Sequence, residues 1–250
     1  MSVPVRFLAL ITLAVGALFV VLPARAAAPP PVAAALSSLR HGSSKLAADW
    51  RYQEKITGAQ GSERLGYDPT RKPEERWHVL EVNGKPPDAA ARKRLAAEAA
   101  KVRKKAEHGL SVVGGGWLAA SDYTLIKTTA ETLVYQFRPR PAKDDHSATA
   151  SLLRHLAGRF VVSRHDHRPI SLRLDNFESF SPRFGLKVNA FAFRAEFKRL
   201  GKQGPVVVVR TSDSARGKVF WLKGFKNKTE VVLSDFIPVA SSAPVAQTGG

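Results

Sequence analysis

Trp50-Arg51-Tyr52-Gln53-Glu54-Lys55-Ile56 places large apolar side chains at positions 50, 52 and 56 against polar ones at 51, 53 and 55. A period of two is the mark of a strand with one dry and one wet face. Glycines at 58 and 61 supply a turn, a second strand at 62–67 runs into Asp68-Pro69, and a third at 77–82 stops at Asn83-Gly84 and Pro86-Pro87. Strands joined by connections this short pair antiparallel. Further strands are expected at 123–126, 132–137, 159–164, 170–174, 186–198, 206–210, 218–223 and 228–235, with turns at 201–204, 212–217 and 224–227. The chain is therefore α+β, mainly antiparallel β.

One segment inside this strand-rich chain is clearly helical. Asp88 is a suitable N-cap, the run to Glu107 is rich in Ala, Lys, Arg and Glu, and Gly109 is placed to end it. Leu95, Ala99, Val102 and Ala106 form one apolar stripe. Shorter helices are expected at 32–40 and 149–156.

Residues 1–26 read as a signal peptide. Arg6 is its positive head, 7–22 its apolar run, and Ala24-Arg25-Ala26 a cleavage site with small residues at the two recognised positions. The apolar run is short of the roughly 20 residues a membrane span needs. A periplasmic protein cleaved near Ala26 is expected. Residues 27–35, with Pro29-Pro30-Pro31, read as a semi-extended leader, 36–237 as one domain, and 238–250 as a disordered tail.

The 250 residues contain no cysteine, which excludes thiol nucleophiles, disulfides, Cys-based zinc sites, iron–sulfur clusters and a lipobox anchor. His165-Asp166-His167 is the most metal-like local pattern, but Arg164 and Arg168 flank it and the spacing suits a hairpin turn. Gly114-Gly115-Gly116 lacks the Lys-Ser/Thr of a phosphate loop and precedes Trp117 and a strand. No Gly-x-Ser-x-Gly elbow and no spacing that singles out a catalytic triad is present. The expectation is a non-enzymatic protein with no catalytic residues, no metal and no cofactor.

Lys and Arg number 39 against 21 Asp and Glu, a net charge of +18. Arg92, Lys93, Arg94, Lys101, Arg103, Lys104 and Lys105 crowd the helix. They are either a solvated face or a contact for an anionic membrane surface or polymer. Export makes lipid head groups and envelope polymers, and no nucleic acid, the expected polyanions. Ten of the 13 phenylalanines lie between Phe160 and Phe236, and Phe191, Phe193 and Phe197 share one face of a strand. Such a stripe is either hydrophobic core or the lining of an apolar cavity.

A signal peptide, three strands carrying Trp50-Arg51-Tyr52 and Tyr67-Asp68-Pro69, 77–82 leading to Pro86-Pro87 and a helix, then more strands: over 36–237 this order of elements resembles the LolA/LolB-like superfamily of periplasmic lipoprotein-sorting and lipid-carrier proteins, shared by RseB-type lipid-sensing domains. The resemblance implies an incompletely closed, curved β-barrel with a covering helix and an apolar cavity for acyl chains. It transfers no residue, because the functional arginine of the lipoprotein carrier has no match here. On this reading Leu95 and Val102 are lid contacts, and Phe191, Phe193, Phe197 and Trp221 the cavity wall. The partner is a lipid, acyl chain or lipoprotein. The alternative is a basic interaction module with a filled barrel. A metal-dependent hydrolase at His165 and His167 is the third reading.

Overall fold

The computed structural model describes residues 28–90, 92, 116–141, 148–220 and 223–239. Helix α1 (Pro30–Asp49) leads into β1 (Trp50–Gly58), β2 (Gly61–Tyr67) and β3 (Trp77–Val82). Helix α2 (Gly116–Ala119), β4 (Asp122–Thr128), β5 (Thr132–Arg138) and helix α3 (Ala148–Leu153) follow. The chain ends with β6 (Leu156–Ser163), β7 (Pro169–Asn176), β8 (Phe180–Arg183), β9 (Leu186–Arg199), β10 (Val206–Val219) and β11 (Lys223–Pro238). All strands join one antiparallel sheet ordered β3-β2-β1-β11-β10-β9-β7-β6-β5-β4, with β8 beside β9. β3 and β4 are its two edges and do not pair with each other, so the sheet is unclosed.

Pairing registers trace unbroken rows of side chains across one face. One row runs Val82–Glu63–Ile56–Val231–Thr211–Ala195–Leu172–Phe160–Tyr135–Leu125. A second runs Thr229–Asp213–Phe193–Leu174–Gly158–Phe137–Tyr123. From Ala195 to Tyr135 the first row is buried, with Phe160 fully so. Gly158 is required in the second, because a Cβ there would stand 2.3 Å from the Phe137 ring.

Helix α1 covers this face. Pro30 costs it nothing at the first turn, where the missing N–H has no helical partner anyway. Val32, Ala35, Leu36, Leu39, Gly42 and Leu46 form its buried stripe at helical spacing. The first four pack on Trp117, Phe137, Phe160, Leu174, Phe193 and Phe197. Burying each such large side chain contributes roughly 1.5–3 kcal/mol. Farther along, Gly42 lies so close to β10 that a Cβ would meet the Val206 carbonyl oxygen at 1.9 Å. Leu46 then packs with Leu200 and Val207. The helix touches β1, β6, β7 and β10, so the sheet curves around it.

The covering helix is thus α1 and starts at Pro30, inside the stretch expected to be an extended leader. Of the helix expected from Asp88 to Glu107, the described residues include only its start: Ala89, Ala90 and Arg92 are helical, and the Arg92 N–H donates to the Asp88 carbonyl at 2.9 Å. The remainder lies outside the described residues, as do the expected signal peptide and 240–250. Pro238 and Val239, expected in the tail, are held: β11 ends at Pro238, and the Val239 N–H donates to the Asp49 carbonyl at 2.8 Å.

Residues 212–217 and 224–227 are strand, not turn, and β10 and β11 form one long hairpin reversing between Phe220 and Lys223. Ser212 to Lys218 pair residue by residue with β11, and their inward positions hold Asp213, Ala215 and Gly217, which give no apolar alternation to mark a strand. Gly116, read as preceding a strand, opens the short helix α2.

Candidate functional site

Helix α1 closes only part of the concave face. Its C-terminal end rests on an aromatic group at the β1–β3 end, where the Tyr67 hydroxyl donates to the Ala47 carbonyl at 2.7 Å. Tyr52 lies tilted against Tyr67 with centroids 5.0 Å apart, Trp77 meets both edge-on, and Phe236 lies 6.1 Å from Tyr52. Beyond this group the rows continue on the same face. Val79, Leu65, Glu54 and Leu233 are cross-strand neighbours, followed by Val82, Glu63, Ile56 and Val231. Every one of these eight is half-buried, in contrast to the sealed Phe160 end of the same face.

This open half is an apolar floor of β-branched and leucine side chains, on adjacent strands about 4.8 Å apart. Its charged groups are Glu54, Glu63 and Asp213, all carboxyls. Asp213 sits between Phe193 on β9 and Thr229 on β11, where the two halves meet. Burial pushes its carboxyl up to about 6, since a charge there loses water. Among the described residues it has no hydrogen-bond or ion-pair partner. The floor can therefore hold an elongated apolar group, and near neutral pH its acids do not favour an anionic head group.

Arg64, Arg210 and a row of three further arginines lie on the outer face of the sheet. Arg64 pairs with Glu81 and bonds Gln53 at 3.3 Å, and Arg210 pairs with Glu230 at 2.6 Å. Arg159, Arg173 and Arg194 are consecutive cross-strand neighbours on β6, β7 and β9, all exposed. A separate pocket of about 310 Å³ between α1 and the β9–β10 turn has a mixed lining that includes His41, Lys45, Asp49 and Arg199.

Phe193 and Phe197 are only 5% and 6% exposed and pack with α1 in the closed half, where Phe191 is half-buried against the same cluster. Trp221, Leu95 and Val102 lie outside the described residues, and so do Lys93, Arg94, Lys101, Lys104, Lys105 and Arg103. Arg92 is exposed, its Nε donating to the Pro87 carbonyl at 3.0 Å. His165 and His167 lie within the β6–β7 turn, with His165 Nε2 3.1 Å from Glu131 and His167 at φ +52°. Among the described residues no three His, Asp or Glu side chains converge as a metal site. No described helix is long and apolar enough to cross a membrane.

The floor residues Leu65, Val79, Val231 and Leu233 were not singled out in sequence. The alternation of β1 and of 228–235 is visible there, but only pairing through β11 places β1 beside the C-terminal hairpin.

No protein-family model matches the chain, and no curated protein does. Among solved structures, the LolA superfamily protein NE2245 from Nitrosomonas europaea is similar at 11% identity and a TM-score of 0.31, over 81% of this chain and 92% of that one. MucB in complex with MucA(peri) is similar at 11% identity and a TM-score of 0.20, over 82% of this chain and all of that one. The first carries the superfamily name that the order of elements suggests.

Proposed function

We propose that this chain is an exported, non-enzymatic binding protein that shelters an acyl chain or another elongated apolar ligand on the open half of its concave face. The observation that carries the reading is the contrast within a single face. Phe160, Leu172 and Leu174 are sealed under α1, whereas Ile56, Leu65, Val79, Val231 and Leu233 continue the same rows half-buried. Burial of ligand methylenes there would supply affinity at about 0.8 kcal/mol each. The expected address is the periplasm, from the signal peptide read at 1–26, and the expected place of action is lipid or lipoprotein trafficking.

The ligand floor is assigned to β1–β3 and β11 rather than to Phe191, Phe193 and Phe197, whose burial against α1 supports a structural role. Native mass spectrometry of the full chain expressed with export, followed by organic extraction, tests this. A stoichiometric lipid is expected, lost in Val231→Asp and kept in Val208→Ala. A chain that carries no lipid and takes up no fluorescent fatty acid at micromolar concentration overturns it.

A second reading is favoured by the Arg159–Arg173–Arg194 row. Asp175 pairs with Arg173 at 2.5 Å and meets the middle charge, which leaves Arg159 and Arg194 on either side of it for an anionic envelope polymer or acidic protein. Salt-sensitive binding to such a polymer, abolished by Arg159→Gln with Arg194→Gln, would support it.

A further inference from the structure

The far end of the long hairpin differs from the rest of the surface. Two turns meet there, the β8–β9 turn at Phe184 and Gly185 and the β10–β11 reversal at Phe220, joined by a Phe220 N–H bond to the Gly185 carbonyl. Phe184 is 86% exposed and Phe220 58% exposed. Phe220 also has φ +47°, a left-handed conformation rare for a bulky residue. Gly185, itself at φ +77°, leaves space that a Cβ would take from the Phe220 ring, at 2.7 Å. Two large apolar rings are thus held out at one tip.

Behind the rings the charge is of one sign. Residues 179–191 and 214–229 contain no Asp or Glu. Lys187 on β9 is directly opposite Lys218 on β10, and Arg216 on β10 directly opposite Lys226 on β11. Register puts these four and Lys228 on one face, and all five are exposed. Two like-charge pairs directly opposed, with no acid among them, weaken the sheet unless an anion lies alongside.

We propose that this tip docks the protein on an anionic phospholipid bilayer, with Phe184 and Phe220 entering the interface and the five cations lying over the lipid phosphates. Phenylalanine side chains bury at the boundary between head groups and acyl chains, and Lys and Arg are drawn to an anionic leaflet. Charge complementarity selects the anionic surface. The two exposed rings beside the cations select a bilayer over a soluble polyanion, which the cations alone would meet. This surface is distinct from the ligand floor and does not depend on it.

The test is co-sedimentation of the full chain with vesicles of phosphatidylcholine alone and of phosphatidylcholine mixed with phosphatidylglycerol. Binding is expected only to the mixed vesicles, falling as salt rises. Phe220→Asn keeps a residue that tolerates φ > 0, and with Phe184→Ser it is expected to lower partitioning at least tenfold while the far-ultraviolet spectrum is unchanged. Lys187→Gln with Lys226→Gln removes one member of each like-charge pair. That variant is expected to melt no lower than the parent, yet to bind vesicles more weakly by about fivefold per charge. Equal binding to neutral vesicles, unchanged binding by both folded variants, or equal competition by a soluble polyanion would overturn the proposal. Because extracted lipid reports on the floor and sedimentation on the tip, failure of one is distinguishable from failure of the other.

Discussion

Gly42 shows how much a single missing carbon decides here. The helix rests on β10 at van der Waals distance only because position 42 has no Cβ, since one would stand 1.9 Å from the Val206 carbonyl oxygen. Elsewhere in a helix, Gly→Ala gains about 1 kcal/mol. Here Gly42→Ala is expected to destabilise by about 2 kcal/mol or more, because α1 must lift from its bed, and urea unfolding measures the change. Asp213 is the second residue whose surroundings set a measurable property. Its folded-state carboxyl titrates at about 6 against an ordinary value of 3.8, so the folded chain binds the proton more tightly than the unfolded one. Stability therefore falls as pH rises from about 4 to about 7, by at most about 3 kcal/mol with solvent screening reducing it. The melting temperature of the parent relative to Asp213→Asn is expected to decline across that window, whereas a flat difference would contradict buried ionisation.

Among the elements, the strands that alternate visibly were legible in sequence. The Trp50–Ile56 pattern marks β1, and the third strand, at 77–82, matches β3 residue for residue. Two elements were obscured for physical reasons. Helix α1 begins in a triple proline that reads as extended chain, yet proline at the first helical turn loses no hydrogen bond. The hairpin of β10 and β11 was divided because the inward positions of its middle hold Asp213, Ala215 and Gly217, which give no apolar alternation to mark a strand. The candidate floor was obscured for a third reason, because pairing of β1 with β11 is a long-range contact that no local pattern records. The two halves of the sheet differ accordingly in their sensitivity to truncation. Phe160→Ala, in the sealed half, is expected to cost about 3–5 kcal/mol. Val231→Ala, on the open floor, is expected to cost about 1 kcal/mol or less without ligand, because little is removed from a dry environment. Denaturant midpoints of the two variants separate these cases.

At the scale of the whole molecule, the described residues form a single unclosed sheet with helix α1 laid across its concave side. Each of its regions has a distinct task in this account: a sealed half for stability, an open half for ligand, and a cationic aromatic tip for the membrane. Its net charge of +18 adds a long-range field that any anionic surface would feel, so association with such a surface is expected to slow as salt is raised. Stopped-flow mixing with anionic vesicles at increasing ionic strength measures that slope. The central claim, that the apolar ligand lies on the β1–β3 and β11 floor, is tested most directly by a fatty acid bearing a photoreactive diazirine near its methyl end. The full chain is irradiated with it, and the labelled peptides are mapped by mass spectrometry. Label is expected on peptides containing Ile56, Leu65, Val79, Val231 and Leu233. Label concentrated on Phe193 and Phe197, or a saturable ligand that labels none of the floor, would contradict it.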